Sequence, residues 1–237
     1  MKSYIELLRL KEWHRNITVI IGIIFAFFIL KLNFNLQILL KTIIITFLAC
    51  LISSANYILN AIVDMGFDKK HPIKQLRPLP TKRITPKKAY SLMLFLIIIS
   101  LILCYLLFNI KTTISLLALL LAAIAYNLRP IRLKDIPYID VISESINNPI
   151  RFLIGWFILA DSFPNLFLLL ITWSLACLLM TKKRLQELNK FKQTAVIYRN
   201  VYKYYSVKSL KIAITSYIII SIIFSAYFIK YILQSGL

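Results

Sequence analysis

Acidic residues are scarce in this chain: nine among 237, against 29 lysines and arginines. Charged residues of both signs reach only 16%, where a soluble globular domain carries about 25%. That shortfall, with 59% hydrophobic residues and a mean hydropathy of +0.77, excludes an ordinary soluble domain. Cysteine is nearly absent too. Cys50, Cys104 and Cys177 all lie in apolar runs, without C-x-x-C spacing or a nearby histidine pair. That excludes a disulfide framework or a thiolate metal site and leaves them as small buried hydrophobes. Four glycines and eight prolines provide no low-complexity linker, so residues 1–237 read as one integral membrane domain. No small-residue cleavage site follows the first apolar run. The basic start (Arg9, Lys11, Arg15) therefore predicts a retained helix rather than a cleaved signal.

What the chain has in abundance is apolar runs. Spanning about 30 Å of hydrocarbon takes about 20 residues. Seven segments are expected to do so: Ile17–Leu32, Leu39–Leu59, Tyr90–Phe108, Thr113–Tyr126, Ile139–Ala160, Leu166–Thr181 and Ile212–Leu233. Residues 1–16 are expected to form an amphipathic surface helix, with Ile5, Leu8 and Trp13 set among charges. If seven spans alternate, the N-terminus and the loops 65–88, 127–137 and 182–211 share one side and hold 24 cations. The other side holds four: Lys31, Lys41, Lys111 and Lys230. By the positive-inside bias, the expected location is a cell (inner) membrane, multi-pass, with the N-terminus and long basic loops in the cytoplasm. A net charge of +20 alone would suggest nucleic acid as partner. Basic residues divided by apolar spans argue against one.

Two polar stripes interrupt the apolar helices. Ser53, Asn56, Asn60, Asp64 and Asp68 follow at spacings of three and four and share one helical face. A helix end emerging into water could carry such acids harmlessly, but this stripe starts deep, at Ser53. Asn60, Asp64 and Asp68 stack three oxygen ligands, and Mg²⁺ typically binds one or two carboxylates plus substrate phosphates. The second stripe is Asp140, Glu144, Asn147, Asn148 and Arg151. An arginine at that depth costs roughly 2.5–3.5 kcal/mol on insertion scales, which marks function or an internal ion pair with Glu144. Pro149 adds a helix break, best tolerated beside a cavity. Lys74 and Arg77 directly follow the acidic stripe and would complete a clamp on a cation-bound diphosphate. His71 reads as a base or a bystander.

The N-x-x-x-D-x-x-x-D helix end, followed by a basic segment and Arg-Pro-Leu, resembles the UbiA superfamily of intramembrane prenyltransferases. Five stretches resemble its polyprenyl-phosphate (decaprenyl-phosphate) phosphoribosyltransferase branch. They are RLKEWHRN (9–16), NAIVDMGFDKKHPIKQLRPL (60–79), the AYNLRPIRLKDIPYIDV segment ending near Asp140, Arg151 before Gly155, and KKRLQEL (182–188). The chain departs from that branch at Ala61, which stands where an aspartate is usual, and at Glu144, where the branch is usually uncharged. It also has seven expected spans against the family's nine, which leaves room for a homo-oligomer.

The resemblance implies an all-α, polytopic transmembrane bundle of about seven helices around a central cavity open to the cytoplasmic side, with 64–88 and 127–138 as active-site loops. It implies a Mg²⁺-dependent transferase. Catalytic roles fall to Asp64, Asp68, Lys74 and Arg77, and metal ligation to Asn60, Asp64, Asp68 and Asp140. Substrate binding falls to Asn60, Lys134, Asp140, Glu144, Arg151, Lys183 and Arg184. The expected reaction moves 5-phosphoribose from phosphoribosyl diphosphate, a phosphate-bearing small molecule, to a membrane polyprenyl phosphate. The alternative moves a prenyl group from a polyprenyl diphosphate to an aromatic or other small acceptor. Intramembrane charges and a broken helix also suit a transporter, which has no need of a diphosphate motif.

Overall fold

The architecture comes from a computed structural model describing residues 2–191 and 194–235. Among these residues it is entirely helical. In chain order the helices are α1 (Lys2–Leu8), α2 (Ile17–Ile29), α3 (Leu36–Val63), α4 (Met65–Asp68), α5 (Pro86–Leu107), α6 (Ile110–Asn127), α7 (Ile139–Ser145), α8 (Asn147–Trp156), α9 (Leu166–Phe191), α10 (Ala195–Tyr198) and α11 (Val207–Ser235). Among the described residues, six helical stretches are long and apolar enough to cross a membrane: Lys2–Ile29, α3, α5, α6, α9 and α11.

Three of these helices start earlier than their apolar cores predict, because polar caps extend them. Asn35, Thr85 and Asn109 each accept from the backbone N–H three residues on, and Pro86 follows Thr85 at the first helical position. Such caps satisfy amides that would otherwise be orphaned.

The expected fifth span is not one continuous helix but α7 followed by α8. Pro149 lacks an N–H, and its ring crowds the carbonyl four residues back, at Ser145, where α7 ends. Ile146 between them keeps helical angles (φ −58°, ψ −26°), so the hydrogen-bond ladder breaks while the direction continues. The pair still runs the length of the bundle. Its far end meets the start of α6, where Asn109 donates to the Phe157 carbonyl and Lys111 to that of Asp161.

The expected surface helix over residues 1–16 is also divided. Arg9 adopts a left-handed conformation (φ 51°), and Leu10–Asn16 continue as a 3₁₀ turn before α2.

Packing places α8 at the centre, between α2, α6 and α9. Its crossing with α2 brings the two backbones into direct contact. A Cβ on Gly22 would lie 2.1 Å from the Phe152 carbonyl oxygen, and one on Gly155 would lie 1.9 Å from that of Val19. Only two glycines facing each other allow this contact, a device of membrane helices. The main apolar core joins α2, α3, α6 and α8 around Val19, Ile45, Leu48, Leu116, Leu119 and Ile154. By contrast, α11 packs almost wholly on α9, and its outer face (Ile212, Ile219, Ile222, Ile229) is exposed to the surroundings of the bundle.

Candidate active site

The basic loops converge on one end of the bundle. Arg83 pairs with Glu6 (2.9 Å), Arg132 with Asp64 (3.3 Å) and Arg199 with Asp140 (3.2 Å), so the N-terminus and three loops meet there. Beneath them lies a cavity of about 230 Å³. Its walls bring together seven of the residues expected from sequence: Asn60, Lys74, Arg77, Glu144, Arg151, Lys183 and Arg184. They also bring in Arg9, Arg15 and Arg199. In all, eight lysines and arginines line the cavity against three acids, Glu12, Glu144 and Glu187. Apolar walls are few: Ala123, Met180 and Phe191.

The architecture behind these walls follows from buried polar contacts. Asn16 is fully enclosed at the start of α2. It accepts from Ser53 Oγ of α3 (3.1 Å) and from Arg151 Nε of α8 (3.0 Å), joining three helices. Trp13 donates to Ser54 (2.9 Å). The W-x-x-N spacing of the first motif is thus a structural clasp that seats Arg151 at the cavity wall.

Asp64 and Asp68 stand side by side with the cavity rather than inside it. Asp64 Oδ1 accepts from Lys134 Nζ at 2.6 Å and from Arg132 at 3.3 Å. The same ammonium reaches Asn127 Oδ1 (2.9 Å) and Asn60 Oδ1 (3.4 Å). Asp68 Oδ2 accepts from Arg77 (2.9 Å). Burial lowers the Lys134 pKa, with Asp64 pulling it back. Lys74 is lowered likewise by burial, against Asp68. His71 accepts from the backbone N–H groups of Ile73 (3.1 Å) and Lys74 (3.3 Å), which shapes the turn that carries Lys74.

Asp140 differs from its expected role as a metal or ribose ligand. It is completely buried, and both oxygens are engaged. Oδ2 accepts from Arg184 Nε (2.7 Å) and Arg199 Nη1 (3.2 Å), and Oδ1 accepts from the Tyr205 hydroxyl. Having no face open to the cavity, it acts as a counter-ion that aims two arginines at it. Tyr126 accepts from the same two arginines at 3.4 and 3.1 Å.

Asn60, Asp64 and Asp68 provide hard oxygen donors at one helix end, a set that fits Mg²⁺ completed by substrate phosphates. Among the described residues no three His, Cys, Asp or Glu gather into a metal-binding group. The phosphates would therefore have to supply the rest of the shell. Cavity-lining Asn56 Oδ1, Tyr57 OH, Asn147 Oδ1 and Arg9 Nη2 are buried without a hydrogen-bond partner among the described residues. Unpaired buried groups are costly, and four of them belong to residues that line one cavity, which suits a polar ligand there.

Sequence reasoning missed Arg199 as a site residue. It sits in a loop whose cations read as topology, and it reaches back across 59 positions to Asp140. Arg9 and Arg15 stood in a recognised motif without an assigned role. Tyr126 and Glu187 gave no separate signal.

A helical bundle that crosses the membrane several times and encloses a cationic cavity at one end defines an intramembrane transferase of phosphorylated substrates. The family model of the UbiA prenyltransferase family matches residues 16–236, and the chain belongs to that family. Solved structures agree on the fold. A UbiA homologue from Archaeoglobus fulgidus bound to DMAPP and Mg²⁺ superposes with a TM-score of 0.78 at 19% identity, covering 95% of this chain and 77% of that one. The same homologue bound to GPP and Mg²⁺ gives 0.78 at 20% identity, with the same coverage. A digeranylgeranylglyceryl phosphate synthase gives 0.73 at 24% identity, covering 98% and 78%. A search of curated proteins found no match.

Proposed function

We propose that the chain transfers 5-phosphoribose from phosphoribosyl diphosphate to a membrane polyprenyl phosphate and releases diphosphate. The observation that carries this reading is the charge of the cavity: eight cations against three acids, on a lining that is more polar than apolar. Phosphoribosyl diphosphate is polar throughout and bears three phosphates. A prenyl diphosphate bears two and would leave more of the cationic lining uncompensated.

In this reading the lipid phosphate oxygen attacks the anomeric carbon. The bond from that carbon to the diphosphate oxygen breaks, and its electron pair leaves with diphosphate. The nucleophile is already an anion, so no general base is needed. Lys74 and Arg77 neutralise charge developing on the leaving group. Arg151, Lys183, Arg184 and Arg199 hold the 5-phosphate, with Asp140 positioning Arg184 and Arg199. Mg²⁺ held by Asn60, Asp64 and Asp68 would supply Lewis-acid neutralisation of the diphosphate. The cation bias supports placing this end of the bundle in the cytoplasm, where a soluble donor would reach it.

A second reading is favoured by the DMAPP and GPP bound to the Archaeoglobus homologue. In it, a prenyl diphosphate is the donor and a small aromatic or similar molecule the acceptor. Purified protein with Mg²⁺, offered each donor together with a polyprenyl phosphate or an aromatic acceptor, separates the two by product mass. The expected product is lipid phosphate enlarged by one phosphoribosyl unit. Prenylated small acceptor and unmodified lipid phosphate, with several chain lengths tried, would overturn the first reading.

A further inference from the structure

A second pocket of about 400 Å³ lies outside the polar cavity, between α1 with the turn after it and the Arg77–Pro80 segment. Its character is the opposite of the first. Leu7, Ala61 and Leu79 form its buried floor, and Ile5 and Leu10 its exposed rim. Arg9, Glu12 and Arg77 line both spaces, so the apolar groove and the cationic cavity share one wall.

The charges around the groove are unequally committed. Its cations are Arg9, Lys11 and Arg77, and its acids are Glu6, Glu12 and Asp68. Glu6 is paired with Arg83 at 2.9 Å and Glu12 with Arg15 at 2.9 Å, both arginines from outside the groove. Asp68 is paired with Arg77 at 2.9 Å. Of the groove's own charges, two positive ones are left over, on Arg9 and Lys11. Arg9 Nη2 is buried without a hydrogen-bond partner among the described residues, and its backbone is held at φ 51°, a costly conformation for a residue other than glycine. A phosphate monoester carries about −1.5 to −2, which balances that surplus. An apolar chain attached to it would lie along Leu7, Leu10 and Leu79.

We propose that this groove is the docking site of the acceptor lipid: an isoprenoid phosphate monoester with its phosphate at Arg9 beside Arg77 and its first isoprene units between α1 and Pro78–Pro80. The inference rests on the phosphoribosyl-transfer reading for the identity of the acceptor. It goes beyond that reading in placing the two substrates in separate compartments that meet at Arg9 and Arg77.

The test is photo-crosslinking of the full-length protein in detergent with a short isoprenyl phosphate bearing a diazirine in its first unit, with labelled peptides mapped by mass spectrometry. Label on residues 5–11 and 78–80 is expected, displaced by unlabelled isoprenyl phosphate and not by phosphatidic acid. Leu10→Asp, at the exposed rim, should weaken capture at least 10-fold while phosphoribosyl diphosphate binding, measured by calorimetry, is unchanged. Label confined to α9 or to the cavity wall of α3, with Leu10→Asp capturing normally, would overturn the groove and leave the transfer reading standing. Displacement by phosphatidic acid as effective as by isoprenyl phosphate would overturn the acceptor assignment. No capture by the wild-type protein, with phosphoribosyl diphosphate still bound, would overturn the groove and the transfer reading together.

Discussion

Asp140 carries no open oxygen, yet two cavity arginines depend on it. Asp140→Asn keeps the shape and removes the charge that Arg184 and Arg199 share. Breaking a buried pair by removing one partner costs about 3–5 kcal/mol, so a lowered thermal midpoint is expected. A purely structural defect would stop there. A positioning role predicts in addition a KM for the phosphorylated donor raised at least 10-fold, with kcat changed less, in the fraction that remains folded. Asp140→Glu should restore part of the KM effect. Sequence spacing singled out Asp140 as a metal or ribose ligand, whereas its oxygens meet Arg184, Arg199 and Tyr205. Local spacing cannot report contacts made across 44 and 59 positions. The same limit hid Arg199. The acidic stripe was legible because Asn60, Asp64 and Asp68 lie on one continuous helical face, where 3.6-residue geometry is sufficient. That their cationic partners would be Lys134, Arg132 and Arg77 was not.

At the scale of elements, hydropathy located every long helix, since roughly 20 apolar residues have few other fates. It missed what polar residues decide. The caps at Asn35, Thr85 and Asn109 moved three helix starts outward. Pro149 was legible as a break, but the place of the break, at Ser145, follows from the ring meeting the carbonyl four residues back. The α2–α8 crossing gave no signal before Gly22 and Gly155 were seen to face each other. Gly155→Ala should destabilise the protein at the upper end of the about 1–3 kcal/mol typical of overpacking, because the methyl would meet backbone atoms that cannot rotate away. Gly66→Ala is the control: nothing lies within 4 Å of that Cβ. Thermal midpoints in detergent, compared with wild type, should fall for the first and hold or rise slightly for the second. Equal midpoints would remove the crossing from the account.

Across the whole molecule, the charge of +20 does two jobs. Most of it sits on the loops gathered at one end of the bundle, and eight of the cations turn inward to a cavity with three acids. The family assignment rests on the match over residues 16–236. The Lys134 ammonium rests against oxygens of Asp64, Asn60 and Asn127, so the acidic end of α3 already holds a counter-charge built into the chain. Unlike a zinc finger, whose folding is metal binding, the proposed Mg²⁺ site is assembled beforehand. Chelators should leave the melting temperature unchanged, and Mg²⁺ alone should raise it by less than about 1 °C. Mg²⁺ together with diphosphate at about 100 times its dissociation constant should add about 2.7 kcal/mol. At the proposed Mg²⁺ site, a divalent ion would have to compete with a tethered ammonium for the same oxygens. It does so to advantage only when phosphate oxygens arrive with it, so ion and donor are expected to enter as one compulsory unit.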